Sequence, residues 1–289
     1  MPNGKGFATS RGMQGSESSA ARLSAAVMTK NSMETLPACL QSLEFCDEIV
    51  VMDDFSEDGT WEYVQSLAPK VRGVQRRLDN FANQRRTMCS HVTTDWVLVV
   101  DADEEALPGM GEEILTRLSS GESVTAYHVP QKNILPQHWP RPIHFWTSQK
   151  RLLNLRDVHW AESEWVHVPA LHSGPSGRLN KGLMHHSYDS MMHLFKKQLY
   201  YGESGGRHFH GQGKTVSLPR TVVRMVAAFL KYYVSKGLFR FGFGGFSVAF
   251  AFTFYTFAKS AFLWEYNSGE ASAERSVVPG ENLRTPSGA

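Results

Sequence analysis

Along the first hundred residues, short apolar runs alternate with stretches in which apolar residues recur at helical spacing. Leu23–Met28 is continuously apolar or small and stops at Thr29-Lys30-Asn31, as a buried strand opening into a loop would. Glu34–Leu43 then places Leu36, Leu40 and Leu43 on one helical face. Glu48–Met52 predicts a second strand, ending at Asp53-Asp54, and Ser56 to Gly59 supply turn and cap residues before a helix carrying Trp61, Val64 and Leu67. Val71–Gln75 is a weaker strand, Phe81–Ser90 a helix, and Trp96–Val100 a strongly apolar strand ending at Asp101. This alternation predicts βαβ units and a parallel sheet. Ligands of such sheets bind beyond the carboxyl ends of the strands, where two acidic clusters stand here. Residues 124–190 are less regular, mixing β-like runs such as Val124–Val129 with Pro, His and Trp, which predicts an acceptor-side subdomain grafted onto the sheet.

The hydrophobic pattern changes again near the C-terminus. Thr221–Tyr233 predicts an amphipathic helix with Val222, Val223, Val226, Phe229, Leu230 and Tyr233 on its apolar side and Arg220, Arg224 and Lys231 beside it. Phe241–Ala258 follows, eighteen residues without a formal charge, bounded by Arg240 and Lys259. A spanning helix needs about 20 apolar residues, so this run is borderline, and aromatic residues flanked by Lys and Arg fit a helix lying in the membrane interface. The alternatives are a true span and a helical hairpin buried in the core or in a homo-oligomer. Residues 1–21, rich in Gly, Ser and Ala, are expected to form a disordered arm, and 266–289 a flexible tail.

Composition narrows the function classes. The chain has 289 residues, 30 Lys and Arg against 28 Asp and Glu, and a net charge of +2, a balance that excludes a dedicated nucleic-acid binder. With 42% hydrophobic residues it has material for a sizeable core. Three cysteines (Cys39, Cys46, Cys89) without metal-ligand spacing point to a reducing compartment and no disulfide framework. The mean hydropathy of −0.31 describes a soluble chain, an average that hides the C-terminal block.

Two acidic clusters carry candidate chemistry. Asp101-Ala102-Asp103, after a buried strand, projects carboxylates where they can hold a hard divalent cation; the same residues also suit a solvated loop capping the helix that begins near Gly109. Asp53, in Val50-Val51-Met52-Asp53-Asp54-Phe55-Ser56-Glu57-Asp58-Gly59-Thr60, either hydrogen-bonds a nucleotide or serves turn chemistry alone.

The order Thr29-Lys30-Asn31, Cys39-Leu40-Gln41-Ser42-Leu43, Asp53-Asp54-Phe55-Ser56-Glu57-Asp58-Gly59-Thr60, Phe81-Ala82-Asn83-Gln84-Arg85, Asp95-Trp96-Val97-Leu98 and Asp101-Ala102-Asp103-Glu104 resembles family 2 glycosyltransferases, within them the branch related to lipopolysaccharide core glucosyltransferases. The resemblance covers roughly residues 22–202. It implies an α/β GT-A fold (a Rossmann-like, mostly parallel sheet flanked by helices), a nucleotide-sugar donor with a UDP-sugar favoured, a divalent metal (Mg2+ or Mn2+) and inversion at the anomeric carbon. By motif match Asp53 would hold the nucleobase, Asp101 the ribose and Asp103 the metal; Gln84 and Arg85 would lie close to the diphosphate, with Thr29 and Asn31 completing the donor site. Asn31-Ser32-Met33-Glu34 stands where the family has Asn-Glu-Glu. Leu183-Met184-His185-His186-Ser187-Tyr188 resembles the family's His-x-Ser-Tyr segment, making His185 a metal or diphosphate contact, with a structural histidine as the alternative; Lys197-Gln198-Leu199-Tyr200 resembles the Lys-x-x-Tyr that follows.

The chain departs from the family at Val166-His167-Val168, where Val168 replaces the acid of Val-His-Glu. Glu164 and Glu162 are the nearest carboxylates and the expected general base, Glu164 preferred; Glu104 and Glu105 are further candidates.

The expected organisation is an arm (1–21), a catalytic domain (22–205), a membrane-associating helical segment (206–265) and a tail (266–289). The expected activity is sugar transfer to a glycolipid or saccharide acceptor by a cytoplasmic protein held peripherally at the inner membrane. The rival is a catalytically inactive nucleotide-sugar-binding or scaffold protein, which the loss of the acid at Val168 favours and the intact Asp101-Ala102-Asp103 opposes.

Overall fold

Three largely apolar segments and one weaker one build a parallel half-sheet: β1 (Leu23–Thr29), β2 (Glu48–Asp53), β3 (Val71–Gln75) and β4 (Trp96–Asp101) lie in the order β3-β2-β1-β4. The structure, a computed structural model, describes residues 22–79, 81–135, 142–159, 171–172 and 174–269. β1, at the centre, is buried on both faces, which is why its sequence runs apolar rather than alternating. Helices α1 (Leu36–Ser42), α2 (Thr60–Ser66) and α3 (Phe81–Ser90) connect the four strands. Leu36, Leu40 and Leu43 join Val27, Val51 and Val100 in one core on one side of the sheet, and Met88 and Cys89 of α3 join Ala26, Val50 and Val99 in a second on the other. The predicted strands and helices of this half thus stand where the periodicity puts them, within a residue or two at their ends. All three cysteines are buried and free.

Beyond β4 the sheet changes direction. After β5 (Glu104–Ala106) and α4 (Met110–Ser119), the long strands β6 (Ala126–Ile134) and β7 (His144–Asn154) form an antiparallel pair, and β7 lies antiparallel to β4, with Val97 opposite Leu153 and Leu98 opposite Leu152. β8 (Val158–His159) and β9 (Leu171–His172) make a separate two-stranded ribbon. β10 (Ser176–Arg178) and β11 (Leu183–His186) both run parallel to β6, and β5 closes the far edge against β11. The sequence predicts only a short strand near residues 124–129; the structure extends it to nine residues because β7 and β11 cover its two edges. This mixed sheet flanked by helices is the GT-A arrangement that the resemblance implies.

β11 approaches β6 unusually closely at its start. A Cβ on Gly182 would lie 1.9 Å from the carbonyl oxygen of Pro130, so only glycine fits. Gly182→Ala is therefore expected to force β11 outward and cost about 1–3 kcal/mol of stability. Urea unfolding checks this, and an unchanged midpoint would show that the strands have room to separate.

Three helices finish the chain: α5 (Met191–Gly211), α6 (Leu218–Leu230) and α7 (Gly242–Asn267), with a π turn (Lys231–Ser235) and a 3-10 turn (Leu238–Phe241) between the last two. Ser190 caps α5, its Oγ accepting the His193 N–H. α5 and α7 touch along small residues: a Cβ on Gly202 would stand 2.6 Å from Cβ of Ala258, and one on Gly206 2.7 Å from Cβ of Phe262. Leu238, Val248, Ala249 and Ala251 then meet Leu135, Ile143, Phe145 and Leu194 in a third core, which fastens the helices to the ends of β6 and β7.

Candidate functional site

In the order β3-β2-β1-β4 the direction of winding reverses between β1 and β4, which opens a crevice at their carboxyl ends. Thr29 ends β1, Asp53 ends β2 and Asp101 ends β4, with Met28 opposite Asp101 and Thr29 opposite Asp53. The three positions singled out from separate motifs therefore stand side by side at one end of the sheet.

Around Asp53 the contacts are internal. Its carboxylate is fully buried and accepts hydrogen bonds from the Ser56 N–H (3.0 Å), the Ser56 hydroxyl and Gln75 Nε2 (3.0 Å). Asn31, with φ of 47°, accepts from the Glu57 N–H (2.9 Å) while its own N–H donates to Ser56 Oγ (2.8 Å), tying the β1 and β2 loops together. Lys30 pairs with Asp54 at 2.9 Å, and Asp54 also accepts the Leu78 N–H at 3.0 Å. Among the described residues, Thr29 Oγ1 is buried without a hydrogen-bond partner. Gln84 is buried and its amide is engaged by Arg76, donating from Nε2 to the Arg76 carbonyl at 3.1 Å. Gln84 thus fastens α3 to the loop after β3, while Arg85, its neighbour, turns toward Asp101.

The second group is a connected network of polar contacts. Arg151 on β7, its side chain only 6% exposed, donates from Nη2 to Asp101 Oδ2 (2.9 Å) and to Glu104 Oε1 (3.2 Å). Glu104, fully buried, accepts the Asp101 N–H at 2.8 Å and a bond from Gln131 Nε2. Gln131 reaches His185 Nδ1 at 3.1 Å, which also meets Asn133 Oδ1 (3.0 Å) and Ser187 Oγ (2.9 Å). The other ring nitrogen of His185, Nε2, stands 3.4 Å from Asp103 Oδ2. Arg85 Nη2 approaches Asp101 Oδ1 from the other side at 4.0 Å.

Electrostatics within the network follow from burial and these neighbours. Burial disfavours the charged form of Asp101, but Arg151 and Arg85 outweigh it and hold its carboxyl below the ordinary range. Glu104 shifts the other way: burial raises it, Arg151 offsets part of that and Asp101 adds to it. Burial lowers Arg85, and the like charge of Arg151 acts in the same direction. For His185, burial opposes the charged form, and the Asp103 carboxylate raises it above its usual value nonetheless. Among the described residues, the buried guanidinium atoms Arg85 Nε and Arg151 Nη1 have no hydrogen-bond partner.

Asp103 and His185 are the residues here that could hold a divalent ion. Among the described residues no three His, Cys, Asp or Glu side chains form a complete metal cage. Asp103 and His185 nevertheless converge, 22% and 16% exposed, and the second nitrogen of His185 is anchored by three polar groups, which fixes the ring as ligating histidines are fixed. A site with one or two protein ligands, completed by substrate phosphate oxygens and water, is the usual arrangement for Mg2+.

Of the other sequence candidates, Glu105 pairs with His186 Nε2 at 3.0 Å, and Glu104 is sealed inside the network. Glu162, Glu164 and Val168 lie outside the described residues. Reasoning from the sequence missed Arg151, Gln131 and Asn133. Tyr201, next to the Tyr200 of the Lys-x-x-Tyr segment, has its hydroxyl raised by burial and by the nearby charges of Asp101 and Asp103. For Arg151 the sequence held no local signal: its burial follows only from the pairing of β7 with β4.

The model of glycosyl transferase family 2 matches residues 24–188. The chain is 26% identical over 257 residues to an uncharacterized glycosyltransferase of Rickettsia felis, covering 84% of this chain and 90% of that protein. It is 24% identical over 255 residues to the lipopolysaccharide core biosynthesis glycosyltransferase LpsC of Rhizobium meliloti, covering 86% of this chain and 94% of LpsC. Among solved structures, S. aureus TarS 1-349 aligns with a TM-score of 0.43 at 14% identity, over 86% of this chain and 92% of that one.

Proposed function

Because the chain belongs to glycosyl transferase family 2, we propose that it is an inverting transferase that moves a sugar from a nucleotide-sugar donor, a UDP-sugar by preference, to a glycolipid or lipopolysaccharide-type saccharide acceptor at the cytoplasmic face of the inner membrane. The observation that carries this reading is the network joining Asp101, Arg151, Glu104, His185 and Asp103 at the reversal point of the sheet. The similarity to LpsC supports the choice of acceptor class. The proposal includes the division into a catalytic part, 22–205, and a membrane-associating helical part, 206–265.

In this reading the nucleoside lies across the ends of β1 and β2, with Asp53 and Asn31 shaping the loops that receive it and Asp101 accepting from the ribose. Asp103 and His185 would hold Mg2+ or Mn2+, which supplies charge neutralisation for the departing nucleoside diphosphate. Arg85 carries at the edge of the site a buried Nε unpartnered among the described residues, and its positive charge favours the diphosphate as charge develops there. On the opposite face of the sugar a carboxylate takes the proton of the attacking acceptor hydroxyl, and direct displacement inverts the anomeric carbon. We assign that base to Glu164, with Glu162 next, since Glu104 is enclosed and Glu105 is paired with His186.

The test is sugar transfer or donor hydrolysis measured across a panel of nucleotide sugars, with and without Mg2+ or Mn2+. No metal-dependent turnover on any donor would overturn the proposal. Glu164→Gln is expected to lower kcat by about 10²–10⁴-fold with little change in donor KM. Full activity in both Glu164→Gln and Glu162→Gln would move the base elsewhere.

A further inference from the structure

The third core leaves one side of the C-terminal helices uncovered. α6 has no buried residue, and Val223, Val226 and Leu230 are 67%, 55% and 50% exposed. On α7, Phe243, Phe250 and Phe257 are 82%, 48% and 48% exposed. The two stripes are neighbours: Phe229 and Tyr233 pack on Phe246 at 5.6 and 6.1 Å between ring centroids, and Thr221 Oγ1 meets Ser260 Oγ at 3.3 Å, so the helices run as an antiparallel hairpin. Between Glu203 and Glu265 the sequence holds eight Lys and Arg residues and no acid. Arg220, Arg224, Lys231 and Arg240 are exposed on this hairpin beside the apolar residues.

We infer that this face lies flat in the interface of a bilayer carrying anionic headgroups, with the Phe and Val side chains among the acyl chains and the cations at headgroup level. The inference rests on, and refines, the membrane-face acceptor proposed above. α7 is long and apolar enough to cross a membrane, with a mean hydropathy of 1.4, but its packing opposes a span. Along its length one side is held against α5, which carries Lys196, Lys197, Glu203 and Arg207, and against the strand ends at Ile143 and Phe145. Driving α7 across the hydrocarbon would take those charges with it. Lys259, midway along the second half of α7, sits between the rings of Phe209 (5.1 Å) and Tyr255 (4.8 Å) on the packed side. An apolar face, a polar opposite side and a purely cationic flank describe an interfacial helix pair, and charge complementarity selects an anionic lipid surface over a second copy of this equally cationic face. Because the hairpin is fastened to β6 and β7, docking would hold the Asp103–His185 site at a fixed height above the headgroups.

The experiment is co-sedimentation of the full chain with vesicles of phosphatidylcholine alone and of phosphatidylcholine mixed with phosphatidylglycerol. Binding to the mixed vesicles is expected to be at least about tenfold tighter and to weaken as NaCl rises. Arg220→Glu with Arg224→Glu, and separately Val223→Ser with Phe243→Ser, should each weaken it by about tenfold, all four positions being exposed and so carrying little folding cost. Donor hydrolysis should be unchanged in both variants. Equal or absent binding to the two vesicle types overturns the inference, as does protein that resists alkaline carbonate extraction, which marks a span. A dimer that forms without lipid and is abolished by Phe243→Ser overturns it in favour of a second copy. Vesicle binding as expected with no turnover on any donor supports the docking and sinks the transferase; turnover without vesicle binding does the reverse.

Discussion

Asp103→Ala is expected to lower kcat by about 10²–10³-fold while the chain stays folded. Asp103 stands opposite His185 at the middle of the turn joining β4 to β5, and it is the acid of the Asp-x-Asp pair that Arg151 does not hold. Removing its carboxylate leaves His185 oriented by Gln131, Asn133 and Ser187, so the loss falls on the cation and not on the ring's position. A second readout separates metal binding from turnover. A ligand that binds only the folded state at about 100 times its Kd stabilises by about 2.7 kcal/mol. Mn2+ with a nucleoside diphosphate should therefore raise the Tm of the wild type, and Asp103→Ala should lose most of that rise. An equal rise in both proteins would remove Asp103 from the metal site.

Arg151→Met carries the second large expectation, this time on stability. The guanidinium is the cation shared by two carboxylates, one of them fully buried, and both would be left without it. Breaking a buried pair by deleting one partner costs about 3–5 kcal/mol, because the remaining charge has neither water nor counter-ion. For a domain of this size that corresponds to a Tm lower by on the order of 10 °C. Arg151→Lys keeps the charge and loses the two-carboxylate geometry, so it should fall between the wild type and Arg151→Met. Combining Arg151→Met with Glu104→Gln removes one orphaned acid and should recover part of the loss, a coupling that urea unfolding of the four-protein cycle measures. A loss below about 1 kcal/mol in Arg151→Met would show that water reaches these carboxylates. Activity should fall further than stability accounts for, since Arg151 sets the direction of Asp101, the residue proposed to accept from the ribose.

The first half of the molecule is legible from residues alone for a plain reason. β1, β2 and β4 are buried on both faces by helices, so each had to be an uninterrupted apolar run, and each ends where polar residues turn the chain. Acids placed at those ends are visible as Asp53, Asp101 and Asp103 before any fold is known. The second half obeys no such rule. β7 reads His-Phe-Trp-Thr-Ser-Gln-Lys-Arg-Leu-Leu-Asn, and nothing local marks it as eleven residues of strand; its pairing with β4 and β6 does.

The same division holds within the site. The His-x-Ser-Tyr spacing already singles out His185 over His186, and alternation along β11 gives them different partners: one faces Asp103, the other Glu105. Tyr200 and Tyr201 differ by one helical step, and only the packing of α5 brings the second toward the acids. Arg151 is one basic residue among thirty until β7 lies beside β4, when it becomes the counter-ion of Asp101 and Glu104. For the C-terminal helices, composition established an apolar segment flanked by cations, and tertiary packing decided which side is covered. Local sequence thus determined the strands, the acids at their ends and the amphipathic helices, because burial and turn chemistry act within a few residues. Tertiary structure alone decided the partners of those acids and the face left open, because charge pairing and helix packing join residues that are far apart in the chain.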